Sequence, residues 1–350
     1  MEVIARIAFQ MASPVLFVLG ICTTANAQEV RLEKYADIKV DDKNRIGTLR
    51  FSPDGQELSY MINGTSIETW DVLKKQRGRT HPAIVRYSDF AYAPDGKSII
   101  ASEVSKLYHI NMSTGKSNLI YTQDKEISRI IFTDKGDRLV IGDAAGGLTT
   151  LDVAQNRVTS KDRLNGAIYD LVAIPNTDKL FISHTVVEKV PNKPNTTSIS
   201  FRISQYDLSN KAVKTVVDDP GTGYERCLAV TPDGKHLAIP GASTVSVLSS
   251  STFVAEHVKN CPMTPFICRF ATDQLLIVGG GQKGVLDVLM PPGEVAIYNR
   301  NSFKWTYHMG VMDDTIKYVS YSHKSNYVAF SSGKSNTASV WKLSNTDKQK

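Results

Sequence analysis

Phe51-Ser52-Pro53-Asp54-Gly55 sits between two strand-like runs, Ile46–Phe51 and Glu57–Ile62, and the same phrase returns along the chain. Proline presets the first turn dihedral, aspartate accepts hydrogen bonds from the backbone ahead of it, and glycine takes the left-handed position. Pro-Asp-Gly therefore joins antiparallel strands. Further copies begin at Tyr92 (Tyr-Ala-Pro-Asp-Gly), Phe132 (Phe-Thr-Asp-Lys-Gly), Ile174 (Ile-Pro-Asn-Thr-Asp), Val230 (Val-Thr-Pro-Asp-Gly), Phe270 (Phe-Ala-Thr-Asp-Gln) and Tyr321 (Tyr-Ser-His-Lys-Ser). These starts lie 41, 40, 42, 56, 40 and 51 residues apart. A period near 40 to 45 residues is that of a four-stranded propeller blade, so two of the units carry extra residues. Strand-like runs flank the other copies too, among them Ile127–Phe132 before a phrase, and Ser98–Ala101 and His236–Ile239 after one.

A third strand in each unit ends on an aromatic or apolar residue and often an Asp, as in Trp70-Asp71-Val72, Leu151-Asp152-Val153 and Tyr206-Asp207-Leu208. With these features in register, residues 30 to 345 resemble the WD-repeat and YVTN-type β-propellers. That resemblance implies an all-β, seven-bladed ring of four-stranded antiparallel blades starting near residues 46, 87, 127, 168, 225, 265 and 316. Trp70-Asp71 is the literal Trp-Asp pair, and the Gly-His dipeptide of the family is missing. The seventh unit has three strands before a polar tail (346–350), so the segment 29–38 is the expected fourth strand. Closing the ring in this way removes open sheet edges that invite aggregation. Residues 28–345 are then one domain.

The chain has 350 residues, 41% of them apolar and 22% charged. Its formal charge of +6 is spread along the chain with no basic run, which argues against nucleic acid as a partner. Residues 1–27 read as a signal peptide. The apolar stretch Met11–Cys22 is about half the length a membrane-spanning helix needs, and Ala25-Asn26-Ala27 fits a cleavage site before Gln28. The alternative is an uncleaved anchor. Cleavage would place a monomeric mature chain, with no membrane span, in the periplasm or outside the cell. Three cysteines then remain, Cys227, Cys261 and Cys268. Either Cys261 and Cys268 close a short disulfide loop, or all three are reduced thiols buried as small apolar residues.

Functional residues are expected where the long units place their extra residues, on the face opposite the Pro-Asp-Gly turns. In unit four these contain Glu188, Lys189, Pro191 and Lys193; in unit six the stretch Gly279–Gly293 contains Lys283, Leu286, Asp287 and Met290. Long loops on a rigid scaffold concentrate recognition, although surface insertions are also tolerated at little cost. The inner strands carry Arg129, Asp170, Arg226, Arg269 and Lys317, which would line the central channel with a basic excess suited to an anion, or simply face water. The seven histidines show no metal-ligand spacing, and haem, P-loop and Gly-x-Ser-x-Gly signatures are missing. No catalytic residue, metal or cofactor is therefore expected. The reading is a non-catalytic exported platform for protein partners. Its alternative is a lactonase-like hydrolase or a binder of small anions in the channel, and fold alone does not choose between them.

Overall fold

The computed structural model describes residues 29–83, 86–189, 197–218, 227–283 and 292–346. The leader, with Ala27 and Gln28, lies outside them, as does the tail from residue 347. Twenty-eight strands are described, forming seven four-stranded antiparallel sheets. The innermost strands are Ile46–Phe51, Tyr87–Tyr92, Ile127–Phe132, Ile168–Ala173, Ala229–Val230, Thr264–Phe270 and Tyr318–Tyr321. Each packs against the next, and the last against the first, so the sheets close as a ring of seven blades.

Burial follows position in the blade. The second strand of each blade is buried along nearly its whole length, as in Ser98–Glu103 and Tyr327–Ser331, because neighbouring blades cover both of its faces. Such strands carry continuous apolar runs, Leu139-Val140-Ile141 being one, where a half-exposed strand would alternate. Outermost strands such as Ser117–Thr122 and Arg157–Arg163 are largely exposed and polar. The core is divided among the seams between blades. One cluster joins Phe181 and Ile203 of blade four to Leu237 and Ile239 of blade five.

The repeated phrase forms the turn between first and second strands. Gly55, Gly96, Gly136 and Gly234 all have φ between 70° and 74°, the left-handed region. Asp54 accepts from the Ser52 hydroxyl at 2.6 Å and the Gln56 amide at 3.0 Å; Asp233 repeats this with Thr231 and Lys235. In blade four the equivalent phrase starts one residue earlier than its expected start at Ile174. The inner strand ends at Ala173, and Ile174 N–H donates to Lys179 O as Ala93 N–H does to Ser98 O.

Blade seven is built from both parts of the chain. Its order from the outside is Glu29–Lys39, Thr337–Thr346, Tyr327–Ser331, Tyr318–Tyr321, with Glu29–Lys39 antiparallel to Thr337–Thr346. The N-terminal strand also bonds to both neighbouring blades. The Tyr35 hydroxyl donates to Val72 O of blade one at 3.1 Å, and the Tyr307 hydroxyl of blade six donates to Leu32 O at 3.3 Å.

Both long units extend their second and third strands. In blade four, Lys179–Lys189 and Thr197–Asp207 form a hairpin in unbroken register out to Lys189 opposite Thr197. In blade six, Gly279-Gly280-Gly281 was expected within a loop but belongs to the second strand, with Gly281 opposite Gly293. The glycines allow a close approach of strands: a Cβ at Gly280 would lie 1.9 Å from Thr264 O.

Candidate functional site: the charged girdle of the central channel

Counting back three residues from the start of each turn phrase, with blade four counted from Ala173, reaches Thr48, Asp89, Arg129, Asp170, Cys227, Ile267 and Tyr318. All seven line one cavity of about 710 Å³ in the central channel. They are equivalent positions of the repeat, so ring closure makes them a girdle. Arg50, Arg269 and Lys317 add charge to it, while Phe201, Phe266, Tyr321 and His323 add aromatic walls.

The girdle residue of one blade reaches the inner strand of the next. Asp89 accepts from the Ile130 amide at 3.1 Å, and Asp170 from the Leu228 amide at 2.8 Å. Cys227 holds the same slot in blade five, its Sγ 3.7 Å from Cys268 O of blade six. Arg50 donates through Nη2 to Asp89 Oδ1 at 3.0 Å, and Arg129 Nε lies 3.6 Å from Asp170 Oδ1. Burial alone would disfavour the charged Arg129, but Asp89 and Asp170 on either side outweigh it and raise its pKa. Its side chain faces the open channel and is 38% exposed there.

Each carboxylate is thus engaged by an amide and a guanidinium. That arrangement suits structural acceptors holding blades together, and it does not leave a free acid–base pair. The basic side is different. Arg269 Nη1 donates to the carbonyls of Cys268 and Leu228 at 2.8 and 3.2 Å and to Cys227 Sγ at 3.2 Å. Among the described residues no carboxylate stands within ion-pair distance of it. Four cations and two carboxylates line the described cavity, with the excess on the side of blades six and seven. Burial holds the His323 imidazole below its ordinary pKa, so it is neutral at neutral pH. Among the described residues no group of three or more His, Cys, Asp or Glu side chains is placed to hold a metal ion.

Of the expected channel residues, Arg129, Asp170, Arg269 and Lys317 line this cavity, and Arg226 lies outside the described residues. Sequence reading missed Arg50, Asp89, Cys227 and the aromatic walls. The constant offset from the turn phrase would have found the girdle, once the blade-four phrase was set to Ala173. Among the described residues Cys227, Cys261 and Cys268 are free and buried, and the expected Cys261–Cys268 disulfide is not formed; it is Cys227 that contacts Cys268, through the carbonyl oxygen.

The blade-four hairpin approaches the channel mouth. Phe201 on it lines the cavity and meets Tyr169 of the inner strand in a tilted ring contact, 5.5 Å between ring centres. Its base is braced by the preceding loop: Asn165 Nδ2 donates to Val187 O at 2.8 Å and the Ala167 amide to Thr185 Oγ1 at 2.8 Å. Between these anchors Gly166 has φ 128°, and a Cβ there would stand 2.3 Å from Thr185 O. Beyond the brace Val187 and Ile199 face each other in register, 38% and 67% exposed. Glu188 and Lys189 are exposed at the same end, with Glu188 Oε1 3.7 Å from Arg202 Nη2. Lys283 is exposed in blade six and donates to Cys261 O at 3.4 Å. Pro191, Lys193, Leu286, Asp287 and Met290 lie outside the described residues.

Ring and girdle together define a seven-bladed β-propeller with a charged central channel. No known protein family and no characterised protein matches the chain. Among the described residues no helix is long and apolar enough to cross a membrane.

Proposed function

We propose that this propeller is an exported, non-catalytic platform for protein partners, of the WD-repeat and YVTN-type kind, and that the blade-four hairpin carries its binding edge. The observation that carries the reading is the Val187–Ile199 pair. Two apolar side chains stand exposed on a braced hairpin beside exposed Glu188, Lys189, Thr197 and Ser198, as interface anchors do. Export is supported by the sequence of the leader. A photoreactive residue at Ile199 tests the binding edge, with one at Val258, exposed on the outer strand of blade five, as control. A discrete protein adduct formed from position 199 alone supports the reading. Equal labelling from both sites, or none from either, counts against it.

The girdle favours a second reading, a small anion bound in the channel, because four cations face two carboxylates in the described cavity and Arg269 stands in no direct ion pair with a described carboxylate. Thermal shift with di- and tricarboxylates is the direct test. Stabilisation by the anion that disappears in Arg269→Gln supports it, whereas an equal response in both proteins assigns the effect to nonspecific charge.

A further inference from the structure

The girdle holds one pair of groups that neither reading uses. Cys227, two residues before the inner strand Ala229–Val230, meets Cys268 on the inner strand Thr264–Phe270 across the seam between blades five and six, its Sγ 3.7 Å from Cys268 O. Three features separate Cys227 from an inert core cysteine. A fixed cation touches it, since Arg269 Nη1 donates to its Sγ at 3.2 Å while anchored by two carbonyls. It lines the roughly 710 Å³ channel cavity, which gives a small solute a route to the sulfur. Cys268 supplies a second thiol across the seam, its carbonyl oxygen 3.7 Å from Cys227 Sγ. Cys261 has neither the arginine nor the thiol contact, and burial pushes its thiol up to about 11. The Cys268 hydrogen bond and the Arg269 charge hold Cys227 below the ordinary thiol range despite burial, and Cys268 is correspondingly raised.

We propose that Cys227 is a modification site for small hydroperoxides and that Cys268 resolves it, so that oxidation closes a disulfide across the seam between blades five and six. In the first step the Cys227 thiolate attacks the distal oxygen of the hydroperoxide. An S–O bond forms, the O–O bond breaks, and the departing alkoxide takes a proton to leave as an alcohol. The sulfur is oxidised by two electrons to the sulfenic acid. In the second step the Cys268 sulfur attacks the sulfenic sulfur; the S–S bond forms and the S–O bond breaks. Hydroxide leaves with the Cys268 proton as water. Two thiols and one hydroperoxide yield one disulfide, one alcohol and one water.

The test uses the unmutated full chain, treated with hydrogen peroxide, quenched with iodoacetamide and digested without reduction for mass spectrometry. The expected product is a Cys227–Cys268 linked peptide pair, with Cys261 alkylated. In Cys268→Ser the same treatment is expected to leave a sulfenic acid on Cys227 that dimedone traps. Arg269→Gln, checked for folding by circular dichroism, is expected to slow the oxidation by about tenfold through loss of thiolate character. Recovery of Cys227, Cys261 and Cys268 all as alkylated thiols overturns the proposal, and so does oxidation of Cys261 as fast as Cys227.

Discussion

At Gly166 a single missing carbon sets the direction of the blade-four hairpin. Its φ of 128° and the 2.3 Å approach of Thr185 O leave no room for a side chain. Gly166→Ala is expected to destabilise the fold by roughly 1–3 kcal/mol, the usual cost of overpacking, read from urea unfolding midpoints. A change below a few tenths of a kcal/mol would show that the brace yields. His184 sits beneath the same hairpin, its Nδ1–H donating to Thr185 O and its Nε2 accepting from the Ser204 hydroxyl at 3.0 Å. Burial lowers its folded pKa below the ordinary 6.5. On acidification the unfolded chain therefore takes up the proton first, so stability is complete above about 6.5 and declines as the pH falls toward the folded value. His81 and His323 are shifted the same way by burial. His184→Gln is expected to flatten part of the fall in Tm between about pH 7 and 5, and an unchanged slope would remove His184 from that account.

Among the elements, the outer strand Glu29–Lys39 has the largest expected effect. Val30 and Leu32 pack into the core of blades five to seven, while Ile38 and Val40 pack with blade one. Each such side chain contributes about 1.5–3 kcal/mol when fully buried. Losing the three that the strand itself carries, Val30, Leu32 and Ile38, is comparable to the whole stability of an ordinary domain, about 5–15 kcal/mol. A chain lacking residues 29–39 is therefore expected to unfold at far lower urea, or to aggregate through the exposed edge of Thr337–Thr346; retention of the midpoint would mean that the ring closes without this strand. Elements such as Ile46–Phe51, Glu57–Ile62 and Ile127–Phe132 were legible residue for residue, because Pro-Asp-Gly chemistry and apolar runs are local signals. Blade four was read one residue out of register, since Val172-Ala173-Ile174-Pro175 offers several apolar residues and no glycine to mark the turn. Gly279-Gly280-Gly281 looked like a loop for a related reason. Glycine signals close backbone approach as well as turning, and only the neighbouring strand at Thr264 distinguishes the two. The girdle was least legible, because its members meet only when Thr48 and Tyr318 are brought round to the same channel.

For the molecule as a whole, the girdle links blades through charge. Arg129 lies between Asp89 of blade two and Asp170 of blade four, so Arg129→Met leaves Asp170 without its ion-pair partner and Asp89 with Arg50 alone. The expected cost is about 1–3 kcal/mol, below that of a fully buried pair because the arginine faces the channel, and it should shrink in high salt. A salt-independent loss would point to packing instead. The three tryptophans report on different blades, Trp70 on blade one, Trp305 on blade six and Trp341 on blade seven. Their fluorescence and far-ultraviolet dichroism are expected to change together if the closed ring unfolds as a unit, and separated transitions would show blades melting independently. Blade seven, finally, imposes a timetable. Its outermost strand leaves the ribosome about 300 residues ahead of its partner Thr337–Thr346. At about 5–20 residues per second, the early strand waits on the order of 15–60 s for its mate. Throughout that interval the nascent polypeptide is an open spiral with an unsatisfied edge at each end, and a premature stop codon removing Thr337–Thr346 would strand both ends permanently.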